Sequence, residues 1–275
     1  MACVSERAPF IALKNVRKIY RTGNEDFLAV SDVTLDVAEG ELVSLVGPSG
    51  CGKTTVLKML AGLHQPDGGT LTIGNATSPF DPGRDVGMVF QQALLLNWRN
   101  IIDNVLLPAE IVGLPMRAAR ERAHELLGMV GLAGFESKYP RELSGGMQQR
   151  AAIARAFIHD PKLILMDEPF GALDALTREQ MNLEMLRIWR KSGKTIIFVT
   201  HDIQEAVFLA SHCAVLTARP ARMAKFLPIE LPYPRDLKIK TTAEFGAYVR
   251  QIYDQLGIIS CGEGEPHVHV KRASP

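Results

Sequence analysis

The stretch Gly47-Pro48-Ser49-Gly50-Cys51-Gly52-Lys53-Thr54-Thr55 fits the pattern G-x-x-x-x-G-K-[ST] of a phosphate-binding loop. Its glycines let the backbone fold close around a polyphosphate, so that N–H groups converge on the anion. In such a loop Lys53 neutralises the β and γ phosphates, and the Thr54 hydroxyl is a ligand for Mg²⁺. Further along, Leu163-Ile164-Leu165-Met166-Asp167-Glu168 is an apolar run that ends in two carboxylates. Successive side chains of a strand point to opposite faces, so the two can divide the work. Asp167 suits the Mg²⁺ shell, and Glu168 is placed to orient and deprotonate an attacking water. Without the loop, the acidic pair would read only as a cap before Pro169. With it, the expected ligand is a nucleoside triphosphate and the expected chemistry is hydrolysis.

The flanks of the loop supply the elements that it needs. Glu41-Leu42-Val43-Ser44-Leu45-Val46 reads as a buried strand. Thr54 to Leu63 carries Val56, Leu57, Leu60 and Leu63 at helical spacing, so that a helix N-terminus faces the anion. Strands are expected at Phe10–Leu13, Phe27–Val30, Val33–Val37, Leu71–Ile73 and Val86–Phe90, with turns at Thr22-Gly23-Asn24 and Ala38-Glu39-Gly40. From Ile101 to His159 strand signals vanish. Helical patterns take over around Val105–Val112, Met116–Val130 and Gly145–His159. Strands return at Leu163–Met166, Thr195–Val199 and Ala214–Leu216, alternating with helices over Leu176–Lys191 and Ile203–Ser211. The pattern predicts an α/β fold with a helical lobe inserted between two halves of the sheet. Residues 1–91 and 160–218 would form the nucleotide-binding core, 92–159 the lobe, and 219–275 an extension. In that extension Arg219–Asp236 is punctuated by prolines, Thr241–Leu256 has the spacing of an amphipathic helix, and Cys261–Pro275 reads as a frayed polar tail.

The 275 residues allow a sizeable core, and 47% hydrophobic with 22% charged residues is ordinary for a globular protein. Lys+Arg of 31 against Asp+Glu of 30 leaves a net charge of +1, which gives no electrostatic case for nucleic acid. No apolar run is long enough to span a bilayer, and Met1–Arg7 lacks the apolar core of a signal peptide. Cys3, Cys51, Cys213 and Cys261 show neither pairing nor zinc spacing, which suits reduced thiols in a cytoplasmic protein. Cys261 with His267-Val268-His269 could in principle ligate a metal; a disordered tail is the plainer reading.

Between the two halves of the site stands Leu143-Ser144-Gly145-Gly146-Met147-Gln148-Gln149-Arg150. Here the chain resembles the ATP-binding-cassette (ABC) family, whose signature motif this closely matches, with Met147 where many members have glutamine. Ser144 is a good N-cap, and Gly145 and Gly146 expose N–H groups at a helix start, which makes a second anion site. The resemblance runs from about Phe10 to Leu216 and implies a phosphate-loop, RecA-like core with an N-terminal antiparallel β subdomain and an inserted helical subdomain. It also implies a head-to-tail dimer, with each ATP held by one subunit's phosphate loop and the other's signature. By the same resemblance Tyr20 stacks on adenine, unless it is simply a half-buried strand tyrosine. Gln91 senses the γ-phosphate and Mg²⁺, Asp174 crosses the dimer interface, and His201 is the switch histidine at the γ-phosphate. ATP and Mg²⁺ are the implied cofactors, and a competent ATPase is the implied enzyme.

Two segments point within the family. Gln91-Gln92-Ala93-Leu94-Leu95-Leu96-Asn97-Trp98 resembles a stretch of the nitrate/sulfonate/taurine import cassettes, with Asn97 in place of the usual proline. Arg219-Pro220-Ala221-Arg222 and Leu231-Pro232-Tyr233-Pro234-Arg235-Asp236 are similar to their closing segment. The resemblance implies separate integral-membrane permease subunits, an extracytoplasmic solute-binding protein, and a place at the cytoplasmic face of the inner membrane. Leu94–Leu96 with Trp98 would line the groove for a permease helix, or else pack within the lobe. The alternatives are the ATPase of a separate-permease exporter, or a soluble ABC ATPase that remodels nucleic acid or ribosomes. The latter commonly carries two cassettes or basic surfaces, which are not found here.

Overall fold

The computed structural model of the chain describes residues 9–22, 25–74, 80–171 and 173–257. In chain order its strands are β1 Ile11–Thr22, β2 Glu25–Val37, β3 Leu42–Val46, β4 Gly68–Ile73, β5 Val86–Val89, β6 Leu163–Asp167, β7 Thr195–Thr200, β8 His212–Leu216 and β9 Ala221–Pro228. Its helices are α1 Lys53–Leu60, α2 Pro82–Asp85, α3 Ile101–Ile111, α4 Met116–Met129, α5 Gly145–Phe157, α6 Ala175–Ser192, α7 Ile203–Leu209 and α8 Ala243–Gln255. The strands form one sheet in the order β4-β1-β2-β9-β8-β3-β7-β6-β5.

Strand character follows from burial. β3 and β7 are buried at every position, and β6 at all but its last, Asp167. Continuous apolar runs of this kind belong to parallel strands covered on both faces. β8, β3, β7, β6 and β5 are indeed parallel neighbours. β2 instead shows buried positions alternating with exposed ones over its second half, and β1, β2 and β4 pair antiparallel. The register places Val46 opposite Thr200 and Val199 opposite Asp167. The phosphate loop, Glu168 and His201 therefore leave the carboxyl ends of three adjacent strands in one row, the usual place for a ligand in an α/β sheet.

Helices α3, α4 and α5 lie between β5 and β6 in sequence and pack on one another. α3 begins at Ile101, earlier than the expected Val105, because the Asn100 side chain accepts a hydrogen bond from Asp103 N at 2.8 Å and caps it. Buried Asn104 then fixes the preceding loop, bonding Leu96 through both its N–H and its carbonyl.

Two expectations are corrected. Phe27–Val30 and Val33–Val37 are one strand: the β1 pairing is irregular at the polar Ser31-Asp32 between them, but Asp32 pairs with Arg222 of the neighbouring strand β9. The proline-punctuated segment contains a strand, β9, which pairs antiparallel with β8 and parallel with β2 and so joins the two halves of the sheet. Pro220 precedes it and Pro228 ends it, leaving the residues between free to pair. α8 begins at Ala243 behind Thr242, whose hydroxyl caps Phe245 N. Cys51 and Cys213 are buried free thiols. The Gly23-Asn24 turn, Cys3, and the tail with Cys261, His267 and His269 lie outside the described residues. Among the described residues no helix is long and apolar enough to cross a membrane.

Candidate functional site

The phosphate loop spans the gap between β3 and α1, and its glycines answer steric demands from the sheet behind it. A Cβ on Gly47 would fall 2.8 Å from the Leu216 carbonyl oxygen. Gly52, with φ of +120°, would place one 2.9 Å from the Ala29 carbonyl. Lys53 is buried, and its ammonium donates to the carbonyl oxygens of Gly47 (2.7 Å) and Pro48 (3.0 Å), so it lies in the concavity of the loop. The Thr54 hydroxyl donates to Asp167 Oδ2 at 3.0 Å, which joins the first turn of α1 to the end of β6.

Burial pushes the Asp167 carboxyl above its ordinary range, and the neighbouring Glu168 charge adds to this; the Thr54 hydrogen bond and the Lys53 charge oppose it. A carboxylate destabilised in this way gains from a cation. The hydroxyl and carboxylate oxygens of Thr54 and Asp167 are the hard donors that Mg²⁺ takes. Among the described residues no group of three or more His, Cys, Asp and Glu side chains could hold a metal ion by itself.

Glu168 leaves the strand geometry of β6. Its φ is +46°, rare for a residue with a side chain, and its N–H donates to Val199 O at 2.9 Å while its carbonyl accepts from Gly171 N at 3.1 Å. This turn separates its carboxylate from that of Asp167 and brings Oε2 to 3.0 Å from His201 Nδ1. A Cβ on Gly171 would lie 3.6 Å from Gln91 Nε2 and 3.8 Å from Glu168 Oε2, so Gln91 and Glu168 border the same spot. Tyr20 sits at the other side of α1, its hydroxyl 3.4 Å from Thr55 Oγ1 and its ring edge-on to His64. Lys53, Thr54, Asp167, Glu168, His201 and Gln91 thus come together.

Ser144, Gly145 and Gly146 do not join them. Ser144 caps α5, accepting from Met147 N at 3.3 Å. A Cβ on Gly146 would meet Leu173 and Thr177 at 3.4 Å. Asp174 caps α6 and accepts from the Thr177 hydroxyl (2.6 Å) and amide (3.0 Å), which hold its carboxyl below the ordinary range. Ser144, Gly146, Met147 and Thr177 line a cavity of about 510 Å³ that includes no residue of the phosphate loop. A separate cavity of about 560 Å³ adjoins the loop at Pro48, Ser49 and His201, and α8 contributes Tyr253 and Leu256 to its wall.

Three polar residues whose partners no sequence pattern discloses tie these pieces together. Buried Gln149 of α5 donates to Phe90 O at 2.9 Å, next to Gln91. Arg155, six residues or about one and two-thirds turns further along α5, donates to Ala93 O and Leu94 O, both at 2.7 Å. Arg235 donates to five backbone carbonyls around the C-terminal end of α7. Each serves backbone acceptors: Gln149 stands in the signature motif and Arg235 in the closing segment, but neither pattern discloses these bonds, and Arg155 is marked only as a polar residue among apolar ones.

A family model described as ABC transporter matches residues 30–171. An uncharacterised ABC transporter ATP-binding protein of Methanocaldococcus jannaschii is 44% identical, over 90% of this chain and 91% of its own length. A taurine import ATP-binding protein of Yersinia pestis is 48% identical over 73% of this chain and 78% of its own. Among solved structures, a dimeric ATP-binding cassette in a post-hydrolysis state, bound to ADP and Pi, superposes with a TM-score of 0.70. It shares 35% identity and covers 81% of this chain and 100% of its own.

Proposed function

The chain belongs to the ABC transporter family of ATP-hydrolysing cassettes, and from that premise we propose that it powers an importer for a small organic sulfonate of the taurine kind. The observation that carries the hydrolytic part is the pairing of Glu168 with His201 at 3.0 Å, beside the Thr54–Asp167 contact and Lys53. Lys53 and the backbone N–H groups at the Gly52–Thr55 end of the loop, where α1 begins, bind the phosphates of ATP. Thr54 and Asp167, with Gln91, hold Mg²⁺, which when bound neutralises charge on the phosphates. Glu168 accepts the proton of the attacking water, and His201 keeps that carboxylate aimed at it and contacts the γ-phosphate. Tyr20 stacks on adenine. Positioning and charge neutralisation, not covalent chemistry, carry most of the rate enhancement in phosphoryl transfer.

The separation of Ser144–Gly146 from the loop is why a second copy is needed. In a head-to-tail pair, the capped start of α5 from one subunit closes over the ATP on the other, and Asp174 crosses between them. The dimeric, ADP- and Pi-bound cassette among the similar structures supports a dimer as the nucleotide-bound form. On the lobe, Leu94 and Trp98 are exposed, Trp98 at 75%, while Leu95 packs against the core. Leu94 and Trp98 therefore form the apolar strip that meets a cytoplasmic helix of separate permease subunits. The chain then works peripherally on the cytoplasmic face of the membrane, and a solute-binding protein delivers the sulfonate. The taurine import relative favours that class of cargo.

Reconstitution with permease subunits that co-purify with the chain tests the assignment. Taurine-loaded binding protein should stimulate ATP turnover and accumulate taurine inside the vesicle in the import sense. Turnover indifferent to every sulfonate, or movement in the opposite direction, refutes it.

A further inference from the structure

We propose that Arg219 is a positioning residue of the nucleotide site, clamping the phosphate loop from outside by its Gly50 peptide. The inference rests on the reading of Gly47–Thr55 as the triphosphate loop. Topology brings Arg219 there. β8 pairs with β3, Val215 opposite Val46, so the chain leaving β8 runs beside the loop that leaves β3. β9 then pairs with β2, Ala221 opposite Val30, which sets the intervening Arg219 next to β2. Arg222 Nε donates to Ser31 Oγ and Ser31 Oγ to Ala221 O, both at 3.1 Å, so this placement is fixed by bonds independent of Arg219 itself.

Its guanidinium makes two contacts. Nε donates to the carbonyl oxygen of Gly50, and the guanidinium carbon lies 5.4 Å from the centroid of the Phe27 ring. Phe27 is 44% exposed and directly opposite Tyr20 in the β1–β2 ladder, so the stack stands on the strand pair that also carries Tyr20. Gly50 has φ of +69°, and a Cβ there would strike the guanidinium, so glycine and arginine fit one another. A trans peptide sets its C=O and N–H on opposite sides. The Gly50 oxygen is held by Arg219, and the N–H of the same peptide, on Cys51, donates to Pro48 O at 3.2 Å within the loop, so that peptide is fixed from both ends. A cation on the outer carbonyl also polarises the peptide and strengthens the bond from its N–H to Pro48 O, which holds the turn of the loop in shape. Arg219 thus prepares the loop for phosphate without touching the reacting atoms.

Fluorescent ATP-analogue titration, competition by ATP and by inorganic tripolyphosphate, and steady-state turnover test this on the full chain. Arg219→Ala should weaken ATP about tenfold and raise KM similarly while kcat stays within about twofold, the loss of one charge-assisted hydrogen bond. Tripolyphosphate should weaken equally, because the clamp acts on the loop and not on the base. Phe27→Ala should shift binding about threefold in the same direction, and Arg219→Lys, which keeps charge without a planar stack, should fall between the alanine variant and the parent. Unchanged ATP affinity in Arg219→Ala, a loss confined to ATP, or full recovery with lysine overturns the clamp. Lys53→Ala separates the two layers of the argument. If it binds ATP normally, the loop reading fails and the clamp with it; if it loses ATP while Arg219→Ala does not, the clamp alone fails.

Discussion

Replacing Arg235 by alanine strands the carbonyl oxygens that cap the end of α7. Nη1 donates to Val207 O (3.0 Å), Phe208 O (2.9 Å) and Ala210 O (2.9 Å). Nη2 reaches Ile229 O (3.3 Å) and Leu231 O (3.2 Å), and the guanidinium stacks 4.0 Å from the centre of the Tyr233 ring. The residue is only 4% exposed. The last carbonyls of a helix have no partner within it, and the negative end of its dipole gathers there, so one cation serves both needs. Each of the three short bonds would be worth about 1.5–3 kcal/mol as a charged hydrogen bond. Water entering the vacated space recovers part of that, which leaves a net loss of about 3–5 kcal/mol. For a chain of this size that lowers Tm by about 6–10 °C. Calorimetry on the full chain measures it directly. Arg235→Lys should recover less than half, because an ammonium cannot present a planar fork to acceptors on several sides. A fall below about 2 °C for the alanine variant, or complete rescue by lysine, would refute the capping account.

Three further outcomes follow from the site and its surroundings. Glu168→Gln should retain ATP binding but lose at least about 100-fold in turnover, with an ATP-bound dimer accumulating on gel filtration; sustained hydrolysis removes Glu168 from the base role. Trp98→Ala should keep basal ATPase activity and lose co-purification with the permease subunits, so normal association would place the coupling surface elsewhere. Burial raises the Glu205 carboxyl from 4.5 to about 7, against the hydrogen bond that Thr200 donates to it at 2.5 Å. Between those values the folded chain holds more protons than the unfolded one, so wild-type stability falls as pH climbs from 4.5 to about 7 and levels off above. Glu205→Gln cannot titrate, and its melting temperature should gain on the wild type over that window, by at most roughly 3 kcal/mol in stability. A constant difference between the two across the window would show that Glu205 titrates alike in both states.

What could be read beforehand was whatever local sterics or period impose. Gly47 and Gly52 are glycine because backbone carbonyls of Leu216 and Ala29 stand behind them, and such a demand leaves a pattern in the chain. The buried strands β3, β6 and β7 announce themselves as apolar runs between turns. β9 did not, since half-buried Met223, Ala224, Lys225 and Phe226 carry neither a continuous run nor a clean alternation. The contact of Glu168 with His201 depends on the register of β6 against β7 and on a left-handed turn at a glutamate, neither of which any spacing encodes. Gln149, Arg155, Arg219 and Arg235 escaped for a common reason: their acceptors are carbonyls, which every residue possesses.

The bonds from Gln149 and Arg155 tie α5 to the segment Phe90–Leu94, so the helix is joined to the lobe surface like a crank to its shaft. Its capped end at Ser144 and its grip on Ala93 and Leu94 lie eleven residues apart on the helix, an arm of about 16 Å at 1.5 Å per residue. A turn of about 10° at the Arg155 end sweeps the Ser144 end through roughly 3 Å, about the whole length of a hydrogen bond. Hydrogen bonding to an anion tolerates far less than that, so on the reading of Ser144–Gly146 as an anion site a rotation of this size would engage or release the ligand there. Transmission of this kind needs no unfolding and no large swing of domains, only rigidity along one helix and a sharp distance dependence at its tip.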